Sequence, residues 1–269
     1  LNLVVDMIIA SFLPDGSVSH LYYADRVVQL PLGVIGVAIG TALLPTLSRQ
    51  VGEKQTDAAF NSQNRAIEYA LLLTLPAAAA LIVIAMPIIH VLFERGAFDA
   101  NATMITAGVL TAYGVGLPAF VLVKVLAPGY FARKDTRTPV RAAIWALITN
   151  VALNLAFMKP FGVIGIALAS ALSSWLNVVL LAKGLHGRGY FHPDRLLRRR
   201  VPRMLIACVA MALLLLAFAK VVAPWLEGGL GLKALALLGL VLFGVGSYAI
   251  MVTAIGAMRW RDLKMALRG

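Results

Sequence analysis

The sequence predicts an all-α fold, a polytopic membrane helix bundle, on three observations. Of its 269 residues, 61% are hydrophobic and 13% charged, and the mean hydropathy is +0.87; a soluble globular domain carries about 25% charged residues. Apolar runs long enough to cross a bilayer, which takes about 20 helical residues, recur between short polar loops. The basic residues lie almost entirely in those loops, and mostly in alternate ones. The net charge of +12 and the pI near 10.3 therefore reflect topology and attraction to anionic lipid, with no nucleic-acid partner implied. Cys208 is the single cysteine, so neither an internal disulfide nor a cysteine zinc site supports the fold.

The first apolar run, residues 1–13, is too short for a complete span. It predicts part of one, with an interfacial helix as the alternative, and no basic region precedes it to suggest a signal peptide. Pro14, Asp15 and Gly16 signal a turn into residues 17–48, the stretch around which the chain is organised. That stretch is apolar overall but carries Asp25, Arg26 and Gln29. On a helix, Ser19, Tyr22, Arg26, Gln29, Gly33, Gly36 and Gly40 follow at steps of three or four and share one face. Pro31 removes a hydrogen bond within the helix and predicts a kink or an opening beside Gly33. Further spans are predicted at about 67–92, 102–127, 140–158, 162–183, 203–223 and 232–256, giving seven complete crossings and one partial one. Their internal Gly, Ala, Ser and Asn residues are those by which membrane helices approach closely and hydrogen-bond.

Sorting the loops alternately places eighteen Lys and Arg residues on one side and four on the other. The positive-inside rule puts the richer side, with the C-terminus, in the cytoplasm. Two basic residues remain inside spans, Arg26 and Lys124. A charge at the bilayer centre costs at least about 2.5–3.5 kcal/mol, so such residues normally face a bundle interior or a watery cavity.

Asp25 and Arg26 diverge by about 100° around a helix and need different partners. They are either structural, neutralised by neighbouring helices or snorkelling outward, or they line a cavity in which Arg26 meets an anionic ligand such as a phosphate. The row of Gly33, Gly36 and Gly40 serves close helix packing, lobe movement, or both. Lys124 precedes an Ala127, Pro128 and Gly129 break expected to end its helix, so it either snorkels to the interface or contacts a phosphate or gate there. Arg195, Arg198, Arg199, Arg200 and Arg203 read as an anchor at lipid headgroups. His20, His90, His186 and His192 show no metal spacing, and the chain has neither a Walker A loop nor a Gly-x-Ser-x-Gly nucleophile motif, so no metal or nucleotide cofactor is expected.

Tyr22, Tyr23, Ala24, Asp25 and Arg26, followed by the run 30–48 with Pro31, Gly33, Gly36, Gly40 and Pro45, resemble the eighth transmembrane segment of the MurJ (MviN) lipid II flippases. Residues 123–139, with Lys124, Pro128, Gly129, Tyr130, Arg133, Lys134, Asp135 and Pro139, resemble that family's stretch between helices ten and eleven. The family belongs to the multidrug, oligosaccharidyl-lipid and polysaccharide exporter superfamily. The resemblance implies a fourteen-helix protein of two six-helix lobes around a cationic cavity, with two extra C-terminal helices. This chain then corresponds to residues 1–184 as the C-terminal lobe (partial helix seven to helix twelve), 185–203 as a basic cytoplasmic connector, and 204–269 as helices thirteen and fourteen with a tail.

Implied site residues are Arg26, Asp25, Tyr22, Gln29 and Lys124 for substrate, with Pro31, Gly33, Gly36, Gly40, Pro128 and Gly129 for packing or hinging. The implied partners are lipid II, membrane lipids and the N-terminal lobe absent from this sequence. The implied location is the bacterial inner membrane, and the implied driving force is the membrane potential or an ion gradient. Asp6 departs from the family, where an uncharged polar residue is expected. The rivals are a sister exporter of a drug or another polyprenyl-linked sugar, and an integral membrane transferase, which would need clustered acidic residues where Glu53, Asp57, Glu68, Asp135 and Asp194 are scattered.

Overall fold

The computed structural model describes residues 2–256. Every regular element among them is helical: α1 (Asn2–Ala10), α2 (Ser17–Pro31), a π-helical segment (Leu32–Val37), α3 (Ala38–Gly52), α4 (Thr56–Val83), α5 (Ala85–Phe93), α6 (Ala100–Phe131), α7 (Arg137–Gly187), α8 (Arg195–Leu226) and α9 (Leu230–Ala254). Among the described residues six helical stretches are long and apolar enough to cross a membrane, α2 through α3 counting as one.

The longest, α7, turns back on itself at Gly162, whose φ of 56° and ψ of −136° interrupt the helix. Only glycine adopts such angles without strain. Asn150 donates to Ser170 Oγ at 3.0 Å, which sets residues 137–161 against residues 163–187 as an antiparallel pair. The two spans predicted at 140–158 and 162–183 are thus the arms of one hairpin, and the six long stretches supply the seven predicted segments.

The core is built on α6, which packs against α7, α4, α2, α5 and α3. Leu110, Leu117, Val121 and Val125 on it are fully buried. Asp99 caps its start by accepting from the Ala102 amide at 2.8 Å. The other end differs from expectation, because Pro128 and Gly129 do not break the helix, which runs on to Phe131. Pro128 cannot donate to the Lys124 carbonyl, but Gln63 of α4 donates to the adjacent Val125 carbonyl at 2.7 Å. Tyr130 donates to the Leu181 carbonyl at 2.7 Å and is fully buried. These contacts with α4 and α7 hold the last turns in place, a case of helix breakers tolerated where neighbours satisfy the backbone.

Pro31 does open its helix, as the sequence predicts. The chain leaves α-helical geometry for the π segment Leu32–Val37, which contains Gly33 and Gly36, and resumes it in α3. The span predicted at 67–92 is two elements, α4 starting well before it at Thr56 and a break at Ile84 setting off α5. The span predicted at 203–223 begins earlier, since α8 takes in Arg195 to Arg200 with Asp194 accepting from the Leu197 amide at 2.6 Å.

Loops gather at two ends. Gln63, Asn64, Arg65, Tyr130, Asp135, Leu181, Arg188, His192 and Asp194 meet at one end. His20, His90, Glu94, Phe98, Thr103, Thr106 and Leu226 meet at the other. The four basic residues of the tail, Arg259, Arg261, Lys264 and Arg268, lie outside the described residues.

Candidate functional site

The polar stripe on α2 forms one hydrogen-bonded chain. Arg26 donates to Tyr22 Oη at 3.0 Å and to Gln29 Oε1 at 3.4 Å, and its guanidinium lies 4.7 Å from the Tyr22 ring centre. Gln29 in turn donates to Asp25. The expectation that Asp25 and Arg26 draw different partners is corrected: Gln29, a turn further on, bridges both, and only Tyr22 is a partner of Arg26 alone. No neighbouring helix neutralises them: among the described residues Arg26 makes no ion pair, and it stands exposed with Tyr22 and Gln29.

Asp25 turns into a cleft of about 320 Å³ between α1, α2, α6 and α7. Lys124 lines the same cleft, with Asp6, Tyr113, Ser170, Ser174 and Asn177. Its predicted place at a helix end is corrected, since α6 continues through seven further residues to Phe131, and Lys124 is exposed in the cleft. Among the described residues it has no ion-pair or hydrogen-bond partner.

The three glycines divide. A Cβ on Gly36 would lie 3.1 Å from Lys124 Cδ, and one on Gly40 would lie 3.8 Å from the Lys124 carbonyl, so these two admit the lysine and its backbone to the face of the π segment and α3. Gly33 is exposed with nothing within 4 Å, so packing does not account for it. Gly129 packs where a Cβ would meet Gln63 Oε1 at 3.0 Å, a seat between helices rather than a hinge.

A closed polar ring lies at the inner side of the cleft. Asn154 donates to Asp6 Oδ1 at 2.7 Å and to Asn150 Oδ1 at 3.3 Å; Asn150 donates to Ser170 Oγ, and Ser170 donates to Asp6. Asp6 is 3% exposed and the two asparagines fully buried. The departure at Asp6 thus has its partners on both arms of α7. Sequence reasoning missed this ring, although Asn150 and Asn154 at i,i+4 spacing within an apolar span were a usable signal.

The cleft has one acidic wall at Asp6 and Asp25 and a cation at Lys124, while Arg26 stands exposed next to Asp25 on α2. Its scaffold can now be compared with known proteins. The family model described as "Lipid II flippase MurJ" matches residues 1–235. The chain belongs to the lipid II flippase MurJ family. It is 41% identical over 266 residues to a probable lipid II flippase MurJ of Vibrio cholerae, covering 99% of this chain and 50% of that protein. It is 43% identical over 262 residues to one of Rhizobium meliloti, covering 95% and 48%. The solved structure "Lipid II flippase MurJ, inward closed conformation" superposes with a TM-score of 0.77 at 28% identity, over 97% of this chain and 51% of that one. An outward-facing multidrug transporter of the MATE family shares the fold, with a TM-score of 0.59 at 19% identity over 98% of this chain and 63% of that one. The chain spans about half the length of the MurJ relatives it matches. Family and apolar helices together make it a multi-pass membrane protein.

Within this MurJ-type scaffold the arginines of the predicted headgroup anchor separate into two groups. Arg195, Arg198 and Arg199 are exposed. Arg200, with Arg65, pairs with the fully buried Glu68, and Arg65 also pairs with Asp194. Arg203 donates to the Gly256 carbonyl at 3.0 Å. These contacts tie α8 to α4 and to the end of α9, so Arg200 and Arg203 fasten helices. A second, apolar groove of about 350 Å³ opens between α4, α8 and α9, lined by Leu72, Pro76, Met211, Leu240, Val245 and Val252 among others.

Proposed function

We propose that this chain supplies one lobe and the two peripheral helices of a lipid II flippase of the bacterial inner membrane, with its C-terminus cytoplasmic. Residues 1–184 act as the lobe, 185–203 as the basic connector and 204–269 as the peripheral unit. The facing wall of the cavity belongs to the part of the family fold that this chain does not span. Arg26 and Lys124 receive the pyrophosphate of undecaprenyl-pyrophosphate-linked precursor, while Tyr22, Gln29 and Asp25 orient the guanidinium. The apolar groove between α4, α8 and α9 takes the polyprenyl chain, and rocking of the lobes moves the headgroup across. The energy comes from the membrane potential or an ion gradient.

The observation that carries this reading is a pair of exposed cations on apolar helices with no carboxylate paired to either among the described residues. A charge kept in so costly a setting without a protein counter-ion is available to a phosphate. The test is complementation by the full-length protein in cells depleted of their lipid II flippase. Arg26→Ala should abolish growth and lipid II transport at normal protein level, because no buried acidic partner is stranded by its loss. Arg26→Lys should retain part of the activity, keeping charge but losing the bidentate fork. Full transport by Arg26→Ala at normal level would reject the assignment.

A further inference from the structure

At the end of the bundle away from the arginine-rich connector, His90 of α5 stands between two acceptors. Its Nδ1 lies 2.8 Å from Glu94 Oε2, and its Nε2 lies 3.1 Å from the Leu226 carbonyl at the last residue of α8. A carbonyl oxygen and a carboxylate oxygen can only accept. A neutral imidazole donates from one nitrogen alone, so both contacts form together only when the ring carries two protons.

We infer that His90 is a proton-dependent clasp that holds the α8–α9 turn to α5, closed when the imidazole is doubly protonated and loosened when it loses one proton. In the neutral ring the Glu94 carboxylate, the stronger acceptor, keeps the proton on Nδ1, so Nε2 turns a lone pair on the Leu226 carbonyl. The α8–α9 turn then loses its hydrogen bond and gains a repulsion.

The surroundings make the imidazole the group that switches. Glu94 also accepts from Thr103 of α6 at 2.6 Å. Its carboxyl is held below the usual carboxylate range, chiefly by Thr103 and then by His90, with Lys233 of α9 adding attraction. It therefore stays ionised across the range in which a histidine titrates. Asp99 at the start of α6 acts on His20, and Arg95 is turned back onto the Leu92 carbonyl. Glu227 and Lys220 flank the end of α8, and α4 carries no titratable residue from 70 to 83. The side chains of His90 and Glu94 are each 25% exposed, so the pair is in contact with water.

The clasp has leverage because α5 packs on α9, and α9 forms one wall of the apolar groove. Freeing the turn at 227–229 loosens the start of α9, the helix whose residues 240–252 line the groove. The inference rests on these contacts alone and holds whatever the transported molecule is.

The test is hydrogen exchange on the full-length protein in lipid nanodiscs, read at the amides of residues 227–233 and corrected for intrinsic rate. Protection should fall by about tenfold between about pH 5.5 and about pH 8, the interval that spans histidine titration. His90→Ala should show low protection at both pH values. Glu94→Gln should show high protection at both: its amide can donate to a neutral Nδ1 and to Thr103 while Nε2–H stays on Leu226. That rescue separates proton dependence from a merely structural role, and it decides the matter even if His90→Ala fails to fold. Protection independent of pH in the unmodified protein, or an open turn in Glu94→Gln, would overturn the clasp.

Discussion

Arg26 and Glu68 are both charged residues on membrane helices, yet their surroundings give them opposite duties. Arg26 has only neutral partners on its own helix, Tyr22 and Gln29, and stays exposed. Glu68 is fully buried and gripped by Arg65 and Arg200. Taking a carboxylate from a buried pair leaves uncompensated cations, at a cost of about 3–5 kcal/mol. Glu68→Ala should accordingly lower the thermal unfolding midpoint in detergent by several degrees and reduce the amount of inserted protein. Arg200→Met, which leaves Arg65 beside Glu68, should do less; equal losses would mean that Arg65 carries none of the balance. The sequence places Glu68 near a helix end but could not reveal this role, since Arg200 lies 132 positions further on.

At the scale of the element, proline and glycine show how far local rules reach. Pro31 and Pro128 remove the same hydrogen bond, yet one is followed by a π segment and the other by three more residues of unbroken helix. The difference lies in what surrounds them: Gln63 and Leu181 clamp the turns around Pro128, whereas Gly33 after Pro31 touches nothing. The α7 hairpin rests on a closer approach still. A Cβ on Gly165 would sit 2.4 Å from the Phe157 carbonyl oxygen, a backbone atom that cannot yield without moving the turn. Gly165→Ala should destabilise the protein by about 3 kcal/mol, the upper range for overpacking. Gly36→Ala meets only the flexible Lys124 chain at 3.1 Å and should cost under about 1 kcal/mol, near the range of mild substitutions. Unfolding midpoints of the two variants side by side check the contrast, and equal midpoints would refute it.

For the whole molecule, loop charge and apolar runs predict the path of the chain through the bilayer. The two ends at which the loops gather alternate as the charge count requires. A cysteine-accessibility or reporter tag at Arg199 should then be cytoplasmic and one at Gly228 external; the reverse pattern would invert every assignment of sidedness. The all-α class, the seven apolar segments, the opening after Pro31 and the polar stripe through Tyr22, Arg26 and Gln29 were all determined by the sequence. Each depends on hydropathy or on contacts within a turn or two of the same helix, and those follow from spacing alone. Only the tertiary structure decided that Lys124 shares a cleft with Asp25, and that Asp6 closes a ring with Asn150, Asn154 and Ser170. It likewise decided that Glu68 holds α8 while His90 reaches Leu226. These pairings join residues far apart in the chain. In lipid, where all helix surfaces are similarly apolar, it is shape and hydrogen bonding between particular helices that select them, and neither is written in the period of a single segment.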